Sequence, residues 1–456
     1  MNTELQFQAP ESAAFPPPSR RATLAYRALV LFSLFYFFRP EDFIPGMAYL
    51  PWGKIAGGIA LAGLIFGIKR SERGKLPLEC KILLVLLAHL MLTIVTAAWR
   101  GGAADTVVNK FSKGVIVALL VTLVVSKMSE LRKLLYIQAF AVALVTIASI
   151  IVHHTMDGRL MGIQNGILEN PNDLAINIAI NFPLCLGFVF AVKGGLRKAM
   201  WGFFLLCMII GVVATYSRSG MIAMAITGLI CIWEFGIKGK RFVLVGSTVI
   251  IGVLAVAGLV AFPKYRARLE SLVRRPSAGS LVEGSMEAHG DSSLEARSQL
   301  LKESLGLMLR NPLFGVGPGN FPVVTHEWRV AHNTYTELGA EAGVPGLVLF
   351  VALLFASMRR IKRVYKMPGY TADPEIRIWA SALWAALAGY AAGAMFASTE
   401  YNLFPYFLVG YICALYRIAE KPSLEKKNGA SDDPQNGGRE ELGYGGNTER
   451  ELAWSR

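Results

Sequence analysis

Charge is what this sequence has little of. Only 17% of its 456 residues are Asp, Glu, Lys or Arg and 54% are hydrophobic, whereas soluble domains carry about 25% charged residues. That deficit, with a mean hydropathy of +0.44, argues against an ordinary soluble globule. In two long runs, 134–156 and 242–262, charge is missing altogether. A bilayer core takes about 20 apolar helical residues, so both runs are long enough to span. Cysteine is scarce as well. Cys80, Cys185, Cys207, Cys231 and Cys413 lie in or beside apolar segments with no C-x-x-C spacing; they read as small buried hydrophobes, not disulfides or metal ligands. Residues 1–19 lack an apolar core and carry Glu4, Glu11 and Pro16-Pro17-Pro18, the mark of an unstructured tail rather than a cleavable signal peptide. A net charge of +14 would point to nucleic acid in a soluble protein. Here most of the excess falls in short loops between apolar runs, so no nucleic-acid partner is expected.

What the chain does have is a succession of apolar segments. Spans are expected near 23–38, 48–68, 77–98, 110–126, 131–154, 173–192, 198–215, 219–237, 241–262, 334–357, 377–397 and 402–416, read from hydrophobic runs and their punctuation. The fold class expected is an all-α polytopic membrane protein of about twelve transmembrane helices, with one long polar loop that contains an amphipathic helix. Every second connection is basic: Lys69/Arg70/Arg73/Lys75, Lys127/Arg132/Lys133, Lys193/Arg197/Lys198, Lys238/Lys240/Arg241 and Arg359 to Lys366. The positive-inside rule places these connections and both termini in the cytoplasm. The organisation expected is a cytoplasmic tail (1–22), a membrane domain of nine helices (23–262), an outward loop (263–333), three further helices (334–416) and a disordered cytoplasmic tail (417–456). No internal repeat is visible, which weakens a transporter built from two related halves.

With the orientation set, the outward material is small: about 39–47, 99–109, 155–172, 215–219, 263–333 and 398–401. Arg218 stands in Thr215-Tyr216-Ser217-Arg218-Ser219-Gly220, between two spans and on the side where arginine is disfavoured. Ser217 or Ser219 can cap the following helix. A helix N-terminus beside a guanidinium fork suits a phosphate, although an arginine snorkelling at a helix end is the plain alternative. In the long loop, Ser292-Ser293-Leu294-Glu295 reads as a capping box and Asn311-Pro312 as a stop. The apolar stripe expected on that helix is Leu294, Leu301, Leu305 and Met308, with Arg297 at its edge, held against the membrane domain. The glycines of Asn311-Pro312-Leu313-Phe314-Gly315-Val316-Gly317-Pro318-Gly319-Asn320-Phe321 follow no strand, so a nucleotide loop is rejected in favour of a tight turn.

His332 falls where the loop returns to the membrane. An imidazole with an ordinary pKa near 6.5 suits general-base work, and nearby arginines favour its neutral form. Glu337 and Glu341 follow on the next helix, placed to orient it or to pack. Arg159, in Gly158-Arg159-Leu160-Met161-Gly162, and Asn172, in Asn170-Pro171-Asn172-Asp173, are candidates for substrate contact beside His153 and His154, as are Asn333 and Tyr335 after the histidine. No His/Cys cluster has zinc spacing. Glu41-Asp42 is weak support for a metal, so neither metal nor cofactor is expected.

Taken in order, Gly158-Arg159, Asn170-Pro171-Asn172, Ser217-Arg218-Ser219-Gly220, the stretch 311–321, His332-Asn333-Thr334-Tyr335 and Glu341-Ala342-Gly343-Val344-Pro345-Gly346-Leu347 resemble the O-antigen ligase/polymerase family over about 155–350. The resemblance implies a bacterial inner-membrane glycosyltransferase. Such an enzyme takes a glycan from undecaprenyl diphosphate and passes it to an acceptor on the periplasmic side, without a metal and with inversion. It also implies that the essential arginines are Arg218 and Arg297 and the essential histidine His332. Arg274, Arg275 and Arg310 stand as substitutes for the looser match at Arg297. The acceptor is a lipid A-core sugar in a ligase, a repeat unit in a polymerase, or a Ser/Thr side chain in a protein O-oligosaccharyltransferase. A flippase or exporter of lipid-linked glycans is the reading from a different class. It would need charges along a membrane path, which these spans nearly lack.

Overall fold

The computed structural model describes residues 20–40, 49–67, 76–152, 155–156, 159–162, 170–241, 246, 286–326 and 329–431. It is built from helices: α1 (Arg20–Phe38), α2 (Trp52–Gly67), α3 (Leu78–Thr96), α4 (Arg100–Val124), α5 (Met128–Val152), α6 (Pro171–Ala191), α7 (Gly195–Ala214), α8 (Arg218–Ile237), α9 (Met286–Arg310), α10 (Phe321–Val324), α11 (Thr334–Val364), α12 (Pro368–Ala372), α13 (Pro374–Gly393) and α14 (Phe404–Ser431). A two-residue antiparallel ladder pairs β1 (Thr155–Met156) with β2 (Arg159–Leu160). Among the described residues, seven helices, α3 to α8 and α11, are long and apolar enough to cross a membrane, and α1 and α2 contain shorter apolar stretches. The expected ninth span, 241–262, lies outside the described residues apart from 241 and 246.

Three boundaries differ from the sequence reading. The segment 99–109, expected as an outward connection, is helical, because α4 starts at Arg100 and passes through a π-helical stretch at Thr106–Phe111. Helix α9 starts at Met286, so Ser292-Ser293-Leu294-Glu295 lies inside it and does not open it. Helix α14 runs on to Ser431, past the point where a disordered tail was expected.

Helix α6 is the post of the bundle, buried along most of its length and packed on α5, α7, α8 and α13. Gln138 Nε2 donates to Asn181 Oδ1 at 2.9 Å, joining α5 and α6 through two buried amides. At Gly220 a side chain has no room, since a Cβ there would sit 2.2 Å from that of Ala175. The starts of α8 and α6 are therefore pressed together.

The basic connections gather at one end of the bundle. Arg360 Nη2 pairs with the buried Glu79 at 2.6 Å, Lys238 with Glu234 at 2.5 Å and Arg132 with Glu375 at 3.2 Å. At the other end the sparsely charged connections meet. Ala98 N donates to Val316 O (3.0 Å), Asn320 Nδ2 to Trp99 O (3.2 Å), Arg159 Nε to Thr215 O (3.1 Å) and Tyr401 OH to Glu341 (2.7 Å).

At this second end α11 is broken. Gly343 has φ 70°, ψ −178°, and Pro345 follows it, so helical bonding stops there. The carbonyls released find partners elsewhere: Val316 N reaches Ala340 O and Gly317 N reaches Glu341 O, each at 2.9 Å, and His89 Nε2 lies 2.8 Å from Ala342 O. The Val344 amide beyond the break donates to Pro312 O at 2.8 Å. Thus the 311–320 turn completes a helix that cannot complete itself. Gly315 must have φ 64° to do so, and a Cβ on it would sit 2.3 Å from the Glu341 carbonyl carbon. Gly315→Ala is expected to cost about 1–3 kcal/mol from backbone strain alone. Thermal unfolding in detergent should show a lowered midpoint for it and an unchanged one for Gly306→Ala, where a Cβ meets nothing.

Candidate active site

One wall is the α7–α8 hairpin. Thr215 ends α7 with its hydroxyl turned back to Val212 O (2.7 Å), Tyr216 adopts φ 49°, and Ser217 caps α8 by accepting from Gly220 N at 3.1 Å. The expected serine cap is therefore Ser217. Arg218 is the first residue of α8, so its guanidinium starts from a helix N-terminus, where backbone N–H groups favour an anion. Arg159 closes over the hairpin. Its Nε donates to Thr215 O and its Nη2 to Asn172 Oδ1 at 2.9 Å. That same Asn172 oxygen accepts from Ser217 Oγ at 2.8 Å, and Ser219 Oγ lies 2.9 Å from Ser217 Oγ. Arg159 and Asn172, expected as substrate contacts, thus form a brace for the Arg218 hairpin.

The second group of candidates lies on α9 and the segment that follows it. The buried face of α9 is only in part the expected stripe: Met308 lies on it, and the Leu294 side chain lies outside the described residues. Leu301 and Leu305 are each 38% exposed, whereas Leu300 is 1% exposed and Ser304 is fully buried. Leu300 packs in a small cluster with Phe321, Ala331 and Ala340, and Met308 fills the space over Gly339 of α11. Arg297, Leu300, Ser304 and Met308 fall on one side of a 3.6-residue helix. Arg297 therefore sits on the packed face rather than at its edge, and burial pulls its guanidinium below the ordinary arginine value. Arginine stays charged through such shifts.

His332 has φ 53°, a left-handed conformation that a non-glycine residue adopts only when its surroundings impose it. Both neighbours impose it here. Ala331 N donates to Glu337 at 2.8 Å, while Asn333 Oδ1 accepts from Tyr335 N (3.0 Å) and Thr336 N (3.2 Å), capping α11. Tyr335 OH donates to Ala391 O at 2.8 Å, and Thr334 Oγ1 to Ala397 O at 2.7 Å. Burial, then the charges of Arg297 and Arg329, lower the His332 pKa to about 4. The imidazole is neutral at physiological pH and able to accept a proton.

Glu337 and Glu341 bond the backbone and hydroxyls around the histidine, not the histidine itself, in the hydrogen bonds described. Glu337 accepts from Ser398 Oγ as well as Ala331 N; Glu341 accepts from Gly319 N (2.7 Å), Phe321 N (3.0 Å) and Tyr401 OH. Glu400, in the turn below, is pushed well above the usual carboxylate range by burial, then by Glu337 and Glu341. Arg329, three residues before the histidine, escaped sequence reasoning, and the Ser398–Tyr401 turn was placed among the outward segments without a role. Among the described residues, no three His, Cys, Asp or Glu side chains are grouped to hold a metal ion. His153, His154, Glu41, Asp42, Arg274 and Arg275 lie outside the described residues.

Both groups adjoin the end of α13. Ala394 O and Ala397 O, just past α13, both accept from Thr334 N at 2.9 Å. Beside them, the space next to Gly393 is bounded by Ile176 of α6 and Ala223 of α8, 3.2 and 3.5 Å from where its Cβ would lie. The starts of α6, α8 and α11 thus converge on the end of α13.

Such a chain is a polytopic helical membrane protein that gathers arginines, a neutral histidine and a capped helix start at one end of its bundle. Residues 203–351, 149 of its 456, match the family model described as O-Antigen ligase. The resemblance to that family is shown over this stretch, which contains Arg218, Arg297 and His332 and leaves out Arg159 and Asn172. No curated protein matches the chain. Because Asn333 caps α11, Asn333→Ala is expected to cost about 1 kcal/mol, and Asn333→Asp should restore the cap. Thermal melts of the two variants would check this, and equal losses in both would contradict a capping role.

Proposed function

We propose that this protein is a glycosyltransferase of the O-antigen ligase type. In this reading it moves a glycan from undecaprenyl diphosphate to an acceptor hydroxyl on the periplasmic face of a bacterial inner membrane. The observation that supports this best is a neutral His332 between the charges of Arg297 and Arg329, at the end of the bundle that also carries Arg218. The family match lends it lipid-linked glycan chemistry.

The acceptor oxygen attacks the anomeric carbon from the side opposite the diphosphate, so the product is inverted. The new C–O bond forms as the bond from that carbon to the diphosphate oxygen breaks, and the bonding pair leaves with the diphosphate. His332 takes the acceptor proton as it leaves. Arg218 and Arg297, both partly buried, meet the charge growing on the leaving diphosphate, where such contacts are stronger than in open water. Arg159 and Asn172 act one step back by fixing the Arg218 hairpin.

Arg218→Ala, Arg297→Ala and His332→Ala should each lower transfer by about a hundredfold or more while the protein still inserts and melts cooperatively. Near-normal transfer by His332→Ala would remove the base assignment. For the free enzyme, kcat/KM should hold steady as pH falls from 8 to 5, because protonation of this histidine is displaced from about 6.5 to about 4. A half-loss near pH 6.5 would contradict a buried His332 as the base. The mass of the glycosylated product names the acceptor and separates ligase, polymerase and protein-glycosylating readings. A liposome flux assay without acceptor would score for a flippase instead.

A further inference from the structure

Away from the histidine, α1, α2 and α4 enclose a cavity of about 630 Å³. Its walls are apolar or aromatic: Phe32 and Tyr36 from α1, Leu61 from α2, Ile116 and Leu120 from α4. Its charged lining residues are Arg39, Lys54 and Lys113, all cationic, and among the described residues none of the lining is acidic. Asp105 is close enough to act on Lys113, but its Oδ1 already accepts from Asn109 Nδ2 at 2.7 Å. Leu403, two residues beyond Tyr401, also lines the cavity, so its polar part lies towards the end of the bundle that carries the candidate active site. Leu31, Leu34, Ile55 and Ile59 are exposed on the neighbouring helix surfaces, as lipid-facing residues would be.

Three cations converging on a cleft with hydrocarbon walls complement a ligand that is anionic at one end and apolar along its length. A free anion gains nothing from the aromatic wall, and a neutral chain nothing from the cations. Gly53 and Gly58 keep the cleft open, since a Cβ on either meets nothing within 4 Å. We propose that this cleft binds an anionic glycerophospholipid of the bilayer, with its phosphate among Arg39, Lys54 and Lys113 and an acyl chain along Phe32, Tyr36, Leu61 and Ile116. The site is separate from that of the glycan donor, whose diphosphate is assigned to arginines on α8 and α9.

The test uses the full chain in nanodiscs of phosphatidylglycerol or phosphatidylcholine, released into mild detergent and weighed by native mass spectrometry. The wild type should retain one phosphatidylglycerol and release phosphatidylcholine. Lys54→Gln with Lys113→Gln should lower that retention by roughly tenfold to thirtyfold, at about 1 kcal/mol per lysine. Gly58→Leu, which fills the cleft without altering its charge, should lower it as well, while the melting temperature stays within about 2 °C of wild type. Equal retention of the two lipids overturns the proposal, as does phosphatidylglycerol retention unchanged in both variants. Recovery of a polyprenyl phosphate from the cleft of protein purified from native membranes would also overturn it, because the cleft would then be a substrate channel.

Discussion

The geometry of this site hangs on Glu341. Its carboxylate accepts from the amides of Gly319 and Phe321 and from the hydroxyl of Tyr401. Its own carbonyl accepts from Gly317. One residue thereby ties the 311–321 turn, the start of α10, α11 and the 398–401 turn to a common point. A buried carboxylate is tolerable only when it is surrounded by donors, so none of these segments can move independently without exposing an unmet acceptor. His332 sits at the edge of this knot. Its left-handed backbone is held by the capping of Asn333 on one side and the Ala331–Glu337 bond on the other.

The electrostatics of the site are arranged in two layers. Nearest the histidine are Arg297 and Arg329; further in lie Glu337, Glu341 and Glu400, turned towards backbone amides and hydroxyls. A carboxylate directly on the imidazole would raise its pKa and hold a proton there. The acids instead hold the loop in place, leaving the imidazole neutral among cations. A histidine in that state accepts a proton most readily once an anionic substrate has offset the surrounding positive charge.

Much of this was legible in the sequence, because membrane helices announce themselves by missing charge and short loops by lysine and arginine. The Arg218 hairpin was readable from Ser217-Arg218-Ser219-Gly220, since a serine before an apolar run has few other roles. The stop at Asn311-Pro312 was equally plain. The packed face of α9 was not. Leu300, Leu301, Leu305 and Met308 surround much of that helix, and periodicity alone does not choose between a face that meets protein and one left exposed. Only the complementary surfaces of Phe321, Ala331 and Gly339 select Leu300 and Met308, and with them the central placement of Arg297. The capping box misled for a related reason: Met286 to Ala288 are good helix formers and carry the helix past a local signal to start. Arg329 was missed because an exposed arginine in a loop has no pattern. The roles of Asn172 and Tyr335 as braces depend on partners 13 to 56 residues away, whereas Asn333 caps its own helix through residues two and three positions on.

The break at Gly343 also bears on how the chain is made. The carbonyls of Ala340 to Ala342 find their partners in residues 316 and 317 and in His89. A transmembrane segment inserted with those carbonyls unmet would carry several unsatisfied polar groups into the membrane. The 311–317 turn must therefore be docked when α11 settles, and α3 must be waiting beside it. Assembly of this half of the bundle is thus a joint event between a loop and two helices, later than the formation of any one of them. A nascent chain stalled before Gly343 has emerged would hold a competent-looking set of helices without the completed candidate site.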